Sequence, residues 1–136
     1  AMVSYVDAEI GAAVALLKSE GIWNQTLMVV HSDNGGEIMF AGVCGGNNWP
    51  LRGGKFSNWD GGIRVLGWVT GGYLPPNRRG QREQGLITAW DFYATYISGI
   101  TGADPADFAA AAAGLPPIDS VDQLPLLLGR NSTPPR

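Results

Sequence analysis

Thr26-Leu27-Met28-Val29-Val30-His31-Ser32-Asp33-Asn34-Gly35-Gly36 is the stretch whose reading decides the fold. Its first half is a short, unbroken apolar run rich in β-formers. A run this continuous suits a strand covered on both faces, as in a parallel sheet. Its second half changes abruptly to the residues that favour turns. In open α/β sheets ligands bind outside the carboxyl ends of strands, so the junction at Ser32 is a natural place for chemistry.

Outward from that junction the elements fall on both sides. Upstream, Val3, Val6, Ile10, Ala13, Val14 and Leu17 recur at spacings of three and four, which predicts an amphipathic helix over 3–20. Lys18 and Glu20 followed by Gly21 supply its stop signal. Helix, turn and buried strand make half of an α/β repeat. Downstream, residues 33–62 are dense in Gly and Asn and predict a long irregular loop, a kind usually functional or disordered. Trp49 and Trp59 argue against disorder, because large aromatics need something to pack on. Residues 63–70 predict a second strand, 71–80 a Gly/Pro/Arg loop, and 86–98 a helix. Beyond Thr101 the chain is Ala- and Pro-rich. Residues 108–113 suit a helix, while Pro116-Pro117 and the closing Thr133-Pro-Pro-Arg136 read as linker or chain end. The expected class is therefore α/β, with a buried sheet of parallel character and flanking helices.

The composition bounds the function. With 136 residues, 45% hydrophobic and 15% charged, the chain is in the range of one domain and carries no charge block. A net charge of −3 gives no reason to expect nucleic acid as a partner. No apolar run approaches the roughly 18 residues of a membrane span, and the opening residues lack the basic start of a signal peptide. The single Cys44 excludes an internal disulfide and a Cys-only metal cluster. Asn24-Gln25-Thr26 and Asn131-Ser132-Thr133 are glycosylation acceptors if the chain enters a secretory pathway.

Each group able to do chemistry also has a plainer reading. Asp33 and Asn34 offer adjacent hard oxygens, which suit calcium or magnesium better than zinc, yet the four residues from Asp33 to Gly36 are also simply turn formers. Lys55, preceded by Gly53 and Gly54, could set an ammonium against an anion with Arg52 as a planar fork; the alternative is an exposed basic loop. Asp60 and Arg64 suit a structural pair across Gly61-Gly62. His31 reads as a packed or supporting residue rather than a ligand. Cys44 has small neutral neighbours and no second histidine to activate it, so it reads as an inert thiol.

Order and spacing say more than any one of these. From Asp33 to Arg64 the chain runs Asp-Asn-Gly-Gly, a short segment, Gly-Gly-Asn-Asn-Trp-Pro-Leu-Arg-Gly-x-Lys, then Trp-x-Gly-Gly-Ile-Arg. This series of blocks resembles the type I sulfatases, most closely the arylsulfatase B-like branch. The opening Tyr5-Val6-Asp7 and its helix are similar to the segment before that family's metal-binding strand. Asp91-Phe-Tyr-Ala-Thr95 and Ile100-Thr101-Gly102 resemble the segment after its second strand. Ile118-Asp119-Ser120-Val121-Asp122 through Pro134-Pro135-Arg136 are similar to its distal Leu-Asp-Gly and Pro-Arg stretches.

The resemblance implies an alkaline-phosphatase-like α/β domain, a mixed, mostly parallel sheet with flanking helices, that hydrolyses sulfate esters beside a calcium ion, with a formylglycine nucleophile made from a Cys-x-Pro-Ser-Arg motif. It makes Asp33 and Asn34 metal ligands and Lys55 the catalytic, substrate-binding cation on the sulfate; Arg52, Trp49 and Arg64 become loop supports. No Cys-x-Pro-Ser-Arg occurs here, and Cys44 is followed by Gly-Gly-Asn-Asn. The formylglycine, the remaining metal carboxylates, the substrate-binding histidines and a second lysine are therefore expected in an N-terminal part. Where relatives often place a His before the Asp that corresponds to Asp91, this chain has Thr88-Ala-Trp, a change expected to be structural. On this reading residues 1–100 are the distal part of a sulfatase catalytic domain and 101–136 lead toward the family's C-terminal subdomain. The chain alone is expected to be catalytically incomplete, with open sheet edges and exposed apolar surface. The alternative is a non-catalytic remnant or a partner subunit. Its ligand would be a small sulfate ester or a sulfated glycan, its partner the missing N-terminal half, and its setting the secretory pathway, lysosomal or extracellular.

Overall fold

A computed structural model describes residues 2–38 and 44–136, so part of the predicted 33–62 loop lies outside the described residues. The chain forms two compact units, Ala1–Tyr73 and Leu74–Arg136. The division at residue 100 expected from family resemblance concerns membership of a longer domain. The compact units divide earlier, so residues 101–136 fold together with 74–100.

In the first unit, helix α1 (Met2–Ser19) forms where the three-and-four spacing predicts it. It ends at Gly21, whose φ of +71° is the left-handed conformation that glycine adopts without a Cβ penalty. Gly21 N–H donates to Lys18 O at 3.1 Å and Ile22 N–H to Leu17 O at 3.1 Å, the double bond of a Schellman cap. The apolar stripe of α1 has no buried residue: Val3 is 84% and Val6 55% exposed. A 3-10 turn (Trp23–Gln25) then leads into strand β1 (Met28–His31).

Strand β1 pairs with β2 (Gly67–Thr70), Met28 opposite Thr70 and His31 opposite Gly67. The pairing is antiparallel. A mixed sheet contains pairs of both kinds, and the mostly parallel arrangement expected from the apolar run is not formed by the two described strands. Val29 and Val30 are only half-buried, so that run is not covered here on both faces. The second strand starts later than predicted because Ile63 closes a helical turn, α2 (Asp60–Ile63).

The second unit holds the apolar core. Leu74, Ala94, Leu124, Leu126 and Leu127 are its buried hydrophobic residues. A 3-10 turn (Pro76–Arg78) precedes α3 (Asp91–Ala94), which continues as a π-helical stretch (Thr95–Ile100). The predicted 86–98 helix therefore begins at Asp91, where the carboxylate accepts the Thr88 N–H at 2.9 Å and turns the incoming chain. Helix α4 (Phe108–Ala112) forms as expected, capped by Asp107, whose Oδ1 accepts the Ala110 N–H at 2.9 Å. Reading the tail as linker misses its packing. Helix α5 (Leu124–Leu127) supplies three of the buried leucines, and Arg136 is tied into the unit's interior.

Candidate functional site

The candidate residues of the first unit converge at the end of β1. Ser32 N–H donates to Leu66 O at 3.1 Å, extending the strand pairing by one residue before the chain turns. Within the turn, Ser32 Oγ donates to Asn34 O at 2.9 Å and Asn34 N–H to Asp33 Oδ1 at 2.9 Å. Asp33 is exposed and Asn34 half-buried. The Asn34 amide nitrogen donates to Gly35 O at 2.8 Å, which places its Oδ1, the atom able to ligate a metal, on the opposite arm of the amide.

The loop bearing Lys55 is fastened to this turn by backbone and one amide side chain. Lys55 N–H donates to Gly36 O at 3.1 Å, Gly35 N–H to Gly62 O at 2.9 Å, and Gly61 N–H to Arg52 O at 2.7 Å. Asn48 is the hub. Its Oδ1 accepts the Gly36 N–H at 2.8 Å, and its Nδ2 donates to Gly36 O at 2.7 Å and to Gly53 O at 3.1 Å. The glycines permit the approach: a Cβ on Gly35 would sit 1.7 Å from Gly61 O, and one on Gly61 would sit 2.1 Å from Gly53 O. Sequence reasoning had assigned Asn48 no role. The signal that could have found it is an Asn in a loop that carries a glycine pair on either side, Gly45-Gly46 and Gly53-Gly54, where a planar amide can bond two backbone segments at once.

The proposed loop supports divide. Arg52 stacks over Trp59 with its guanidinium carbon 3.8 Å from the ring centroid, a cation–π contact. Arg64 and Asp60 pair at 3.8 Å, both well exposed. Trp49, expected to need a packing partner, is 85% exposed; the Asn48 hydrogen bonds and the Arg52–Trp59 stack order the described part of this loop. Lys55 is exposed, its Nζ 5.3 Å from the Phe56 ring centroid. His31 is exposed, with Nδ1 2.8 Å from Ser32 O.

Among the described residues no three His, Cys, Asp or Glu side chains gather where they could hold a metal ion. Asp33 and Asn34 have the oxygen chemistry calcium prefers and fit as two of the roughly six to eight donors it takes. Two such donors are fewer than a full shell.

The turn and the lysine loop lie inside a stretch of the chain that matches a known family. The family model described as Sulfatase matches residues 1–102. The chain belongs to the sulfatase family. Mouse arylsulfatase J is 39% identical over 98 residues, 72% of this chain and 15% of that protein. Rat steryl-sulfatase is 35% identical over 133 residues, 93% of this chain and 21% of that protein. Pig N-acetylgalactosamine-6-sulfatase is 32% identical over 128 residues, 93% of this chain and 22% of that protein. The sulfatase sequence thus spans between a seventh and a quarter of the length of these relatives. Membership implies the alkaline-phosphatase-like α/β fold and sulfuric ester hydrolysis as the family's activity. No described helix is long and apolar enough to cross a membrane.

The second unit carries a different polar centre, built round Asp91. Its carboxylate is fully buried and accepts from Thr88 N–H, Val121 N–H at 3.0 Å and Gln123 Nε2 at 3.1 Å. Arg136 Nε lies 3.0 and 3.1 Å from the two carboxylate oxygens and Nη2 3.0 Å from Oδ1. Arg136 also pairs with Asp119 at 3.2 Å and bonds the Asp119 carbonyl. Burial pushes the Asp91 carboxyl up, but the Arg136 guanidinium and the Thr88 and Val121 amides outweigh it and hold the group well below the ordinary carboxylate range. This centre ties the tail to α3 around a fully buried carboxylate. The Thr88-Ala-Trp change expected to be structural sits on it, through the Thr88 amide and the Trp90 carbonyl, which accepts from Ser120 Oγ at 2.6 Å.

Proposed function

We propose that the chain is the distal part of a calcium-dependent sulfatase active site, contributing Asp33 and Asn34 as metal ligands and Lys55 as the cation on the substrate's sulfate. The observation that carries this reading is the Asn48 hub. It sets the backbone of the Lys55 loop against the turn that carries the two oxygen donors, which supports assigning the three residues to one site. Calcium, when bound, would supply positive charge against the sulfate oxygens. Lys55 would bind the same anion and offset the charge that grows as the S–O bond breaks. The glycine contacts would hold that ammonium at a fixed place rather than on a free loop. The nucleophile and the remaining carboxylates would come from an N-terminal part, so the chain alone would be catalytically incomplete. Domain membership follows the same proposal: residues 1–100 in the catalytic domain, 101–136 leading toward a C-terminal subdomain.

The substrate class is a small sulfate ester or a sulfated glycan. The relatives' names point both ways, to a sterol in one and an amino sugar in the other. Exposed sequons at Asn24 and Asn131 support a secretory route, ending in a lysosome or outside the cell. The exposed stripe of α1 favours a second reading, a partner subunit that completes a site on another chain or a remnant that has lost one.

Sequencing the transcript upstream of Ala1 tests the choice. An in-frame Cys-x-Pro-Ser-Arg segment supports the enzyme, and in that longer protein Lys55→Ala should lower kcat by about 10²–10³-fold, as for loss of one charge-stabilising group. A message that truly starts here leaves only the partner or remnant reading. Full activity of the Lys55→Ala enzyme removes Lys55 from the site.

A further inference from the structure

We infer that Phe56 is the residue that reads the organic group of the substrate, stacking on an apolar ring that carries the sulfate held by Lys55. The two residues form the tip of one turn. Ser57 N–H donates to Gly54 O at 3.0 Å, closing a four-residue turn with Lys55 and Phe56 at its middle positions. Ser57 Oγ locks the turn, accepting the Gly54 N–H at 3.1 Å and donating to Gly54 O at 2.8 Å. Both ends lie against a buried glycine: a Cβ on Gly62 would sit 2.5 Å from Gly54 O and 2.2 Å from Ser57 O. The ends are fixed, and the tip is exposed.

Phe56 stands where the backbone least favours it. Its φ is +73°, the left-handed conformation that a type II turn requires at its third position and that glycine adopts without a steric penalty. Among the described residues other than glycine, it alone has a positive φ. A phenylalanine there holds a strained backbone. Packing does not offset the strain, because the side chain is 84% exposed. The ring lies beside the Lys55 ammonium, with Nζ 5.3 Å from its centroid, and such a contact at an exposed site is weak. Strain that burial leaves uncompensated is typical of positions that meet a ligand. What the position achieves is a flat apolar face next to the cation proposed for the sulfate. A sulfate ester has both parts, an anion and the group that carries it. With the anion on Lys55, a ring bonded directly to the sulfate comes within reach of Phe56, since stacked rings sit about 4.5–7 Å apart. The chemistry that fits is a sulfate borne on a planar apolar ring; a methyl group offers Phe56 no face.

The inference rests on the reading of Lys55 as the sulfate-binding cation, and the test keeps the two apart. The full chain is titrated with phenyl sulfate and with methyl sulfate, each followed by the NMR signals of Lys55 and of the Phe56 ring. Both esters should shift Lys55. Phenyl sulfate should move the Phe56 ring signals further and bind about 2–10-fold more tightly, the worth of one ring pair. Phe56→Gly relieves the strain and keeps the turn, so the Gly54 and Ser57 amide signals should hold while the preference for phenyl sulfate disappears. Phe56→Trp should keep that preference. Equal affinity for the two esters in the native chain, or a preference that survives Phe56→Gly, overturns the inference and leaves Lys55 in place. If neither ester shifts Lys55, the sulfate reading beneath fails and the inference falls with it.

Discussion

Residues of the first unit hold every group proposed for sulfate chemistry, yet its buried positions among the described residues are glycines, Gly54, Gly61, Gly62 and Gly71. The second unit holds no assigned chemical group, yet contains the buried leucines and a buried ion pair. The difference shows two ways of fixing a structure. In the first unit, geometry comes from backbone approach at glycines and from one amide, Asn48. In the second it comes from apolar burial and from a carboxylate with a full set of partners. An active-site loop ordered in the first manner can be exact in position while contributing little stability of its own.

The comparison breaks most visibly at Arg136. Arg136→Ala leaves the fully buried Asp91 carboxylate without its counter-ion, and removing one partner of a buried pair typically costs about 3–5 kcal/mol. Amide exchange should rise across residues 91–101 and 120–128 and stay unchanged across 28–31 and 67–70. Unchanged protection in the second unit would mean that the Thr88, Val121 and Gln123 bonds suffice. The same pair gives the unit an acid dependence. The folded Asp91 pKa is depressed, so its stabilisation is fully present above the unfolded carboxylate value of about 3.9 and is lost as pH falls through that value toward the folded one. Exchange in the second unit should therefore steepen below about pH 4, and less so in Arg136→Ala.

Next in size are apolar truncations placed in each unit. Leu126 is 1% exposed, and Leu126→Ala should destabilise the second unit by about 2–5 kcal/mol through lost transfer energy and a residual cavity. Val3, at 84% exposed, should shift stability by less than about 0.5 kcal/mol when changed to Ala. Thermal or denaturant melts of both variants check the pair. A large effect at Val3 would mean that the stripe of α1 is covered in solution, by a second copy or another part of a longer protein.

What was legible in the sequence follows this division. Helix α1 and β1 were readable because periodicity and an apolar run are local signals. The candidate site was readable because its blocks follow one another in order from Asp33 to Arg64. The antiparallel pairing of β1 with β2 was not, since an apolar run states burial and not strand direction. The packing of the tail was hidden too. Pro116-Pro117 and Pro134-Pro135 look like linker composition, and nothing local says that Leu126 is buried or that Arg136 returns to a carboxylate 45 residues earlier. Asn48 was missed for a similar reason: its partners Gly36 and Gly53 are backbone groups, which leave no mark in side-chain composition.

The smallest effect sharpens the comparison inside the candidate site itself, between Asn48 and the Asp60–Arg64 pair. Asn48→Ala removes three side-chain hydrogen bonds at a half-buried position and strands the Gly36 amide, so about 1–3 kcal/mol of local stability should go. Asp60→Ala removes an ion pair of 3.8 Å whose side chains are 71% and 61% exposed, and exposed pairs contribute about 0–1 kcal/mol. Chemical shifts and amide exchange at Gly35, Gly36 and Lys55 separate the two, because only Asn48→Ala should detach the lysine loop from the Asp33–Asn34 turn. If Asp60→Ala instead releases Lys55, charge rather than the amide hub sets the loop, and site geometry should then weaken with added salt. If neither variant moves Lys55, the contacts at Gly35 and Gly61 hold the loop alone, and Gly61→Ala, whose Cβ would meet Gly53 O at 2.1 Å, becomes the substitution that opens it.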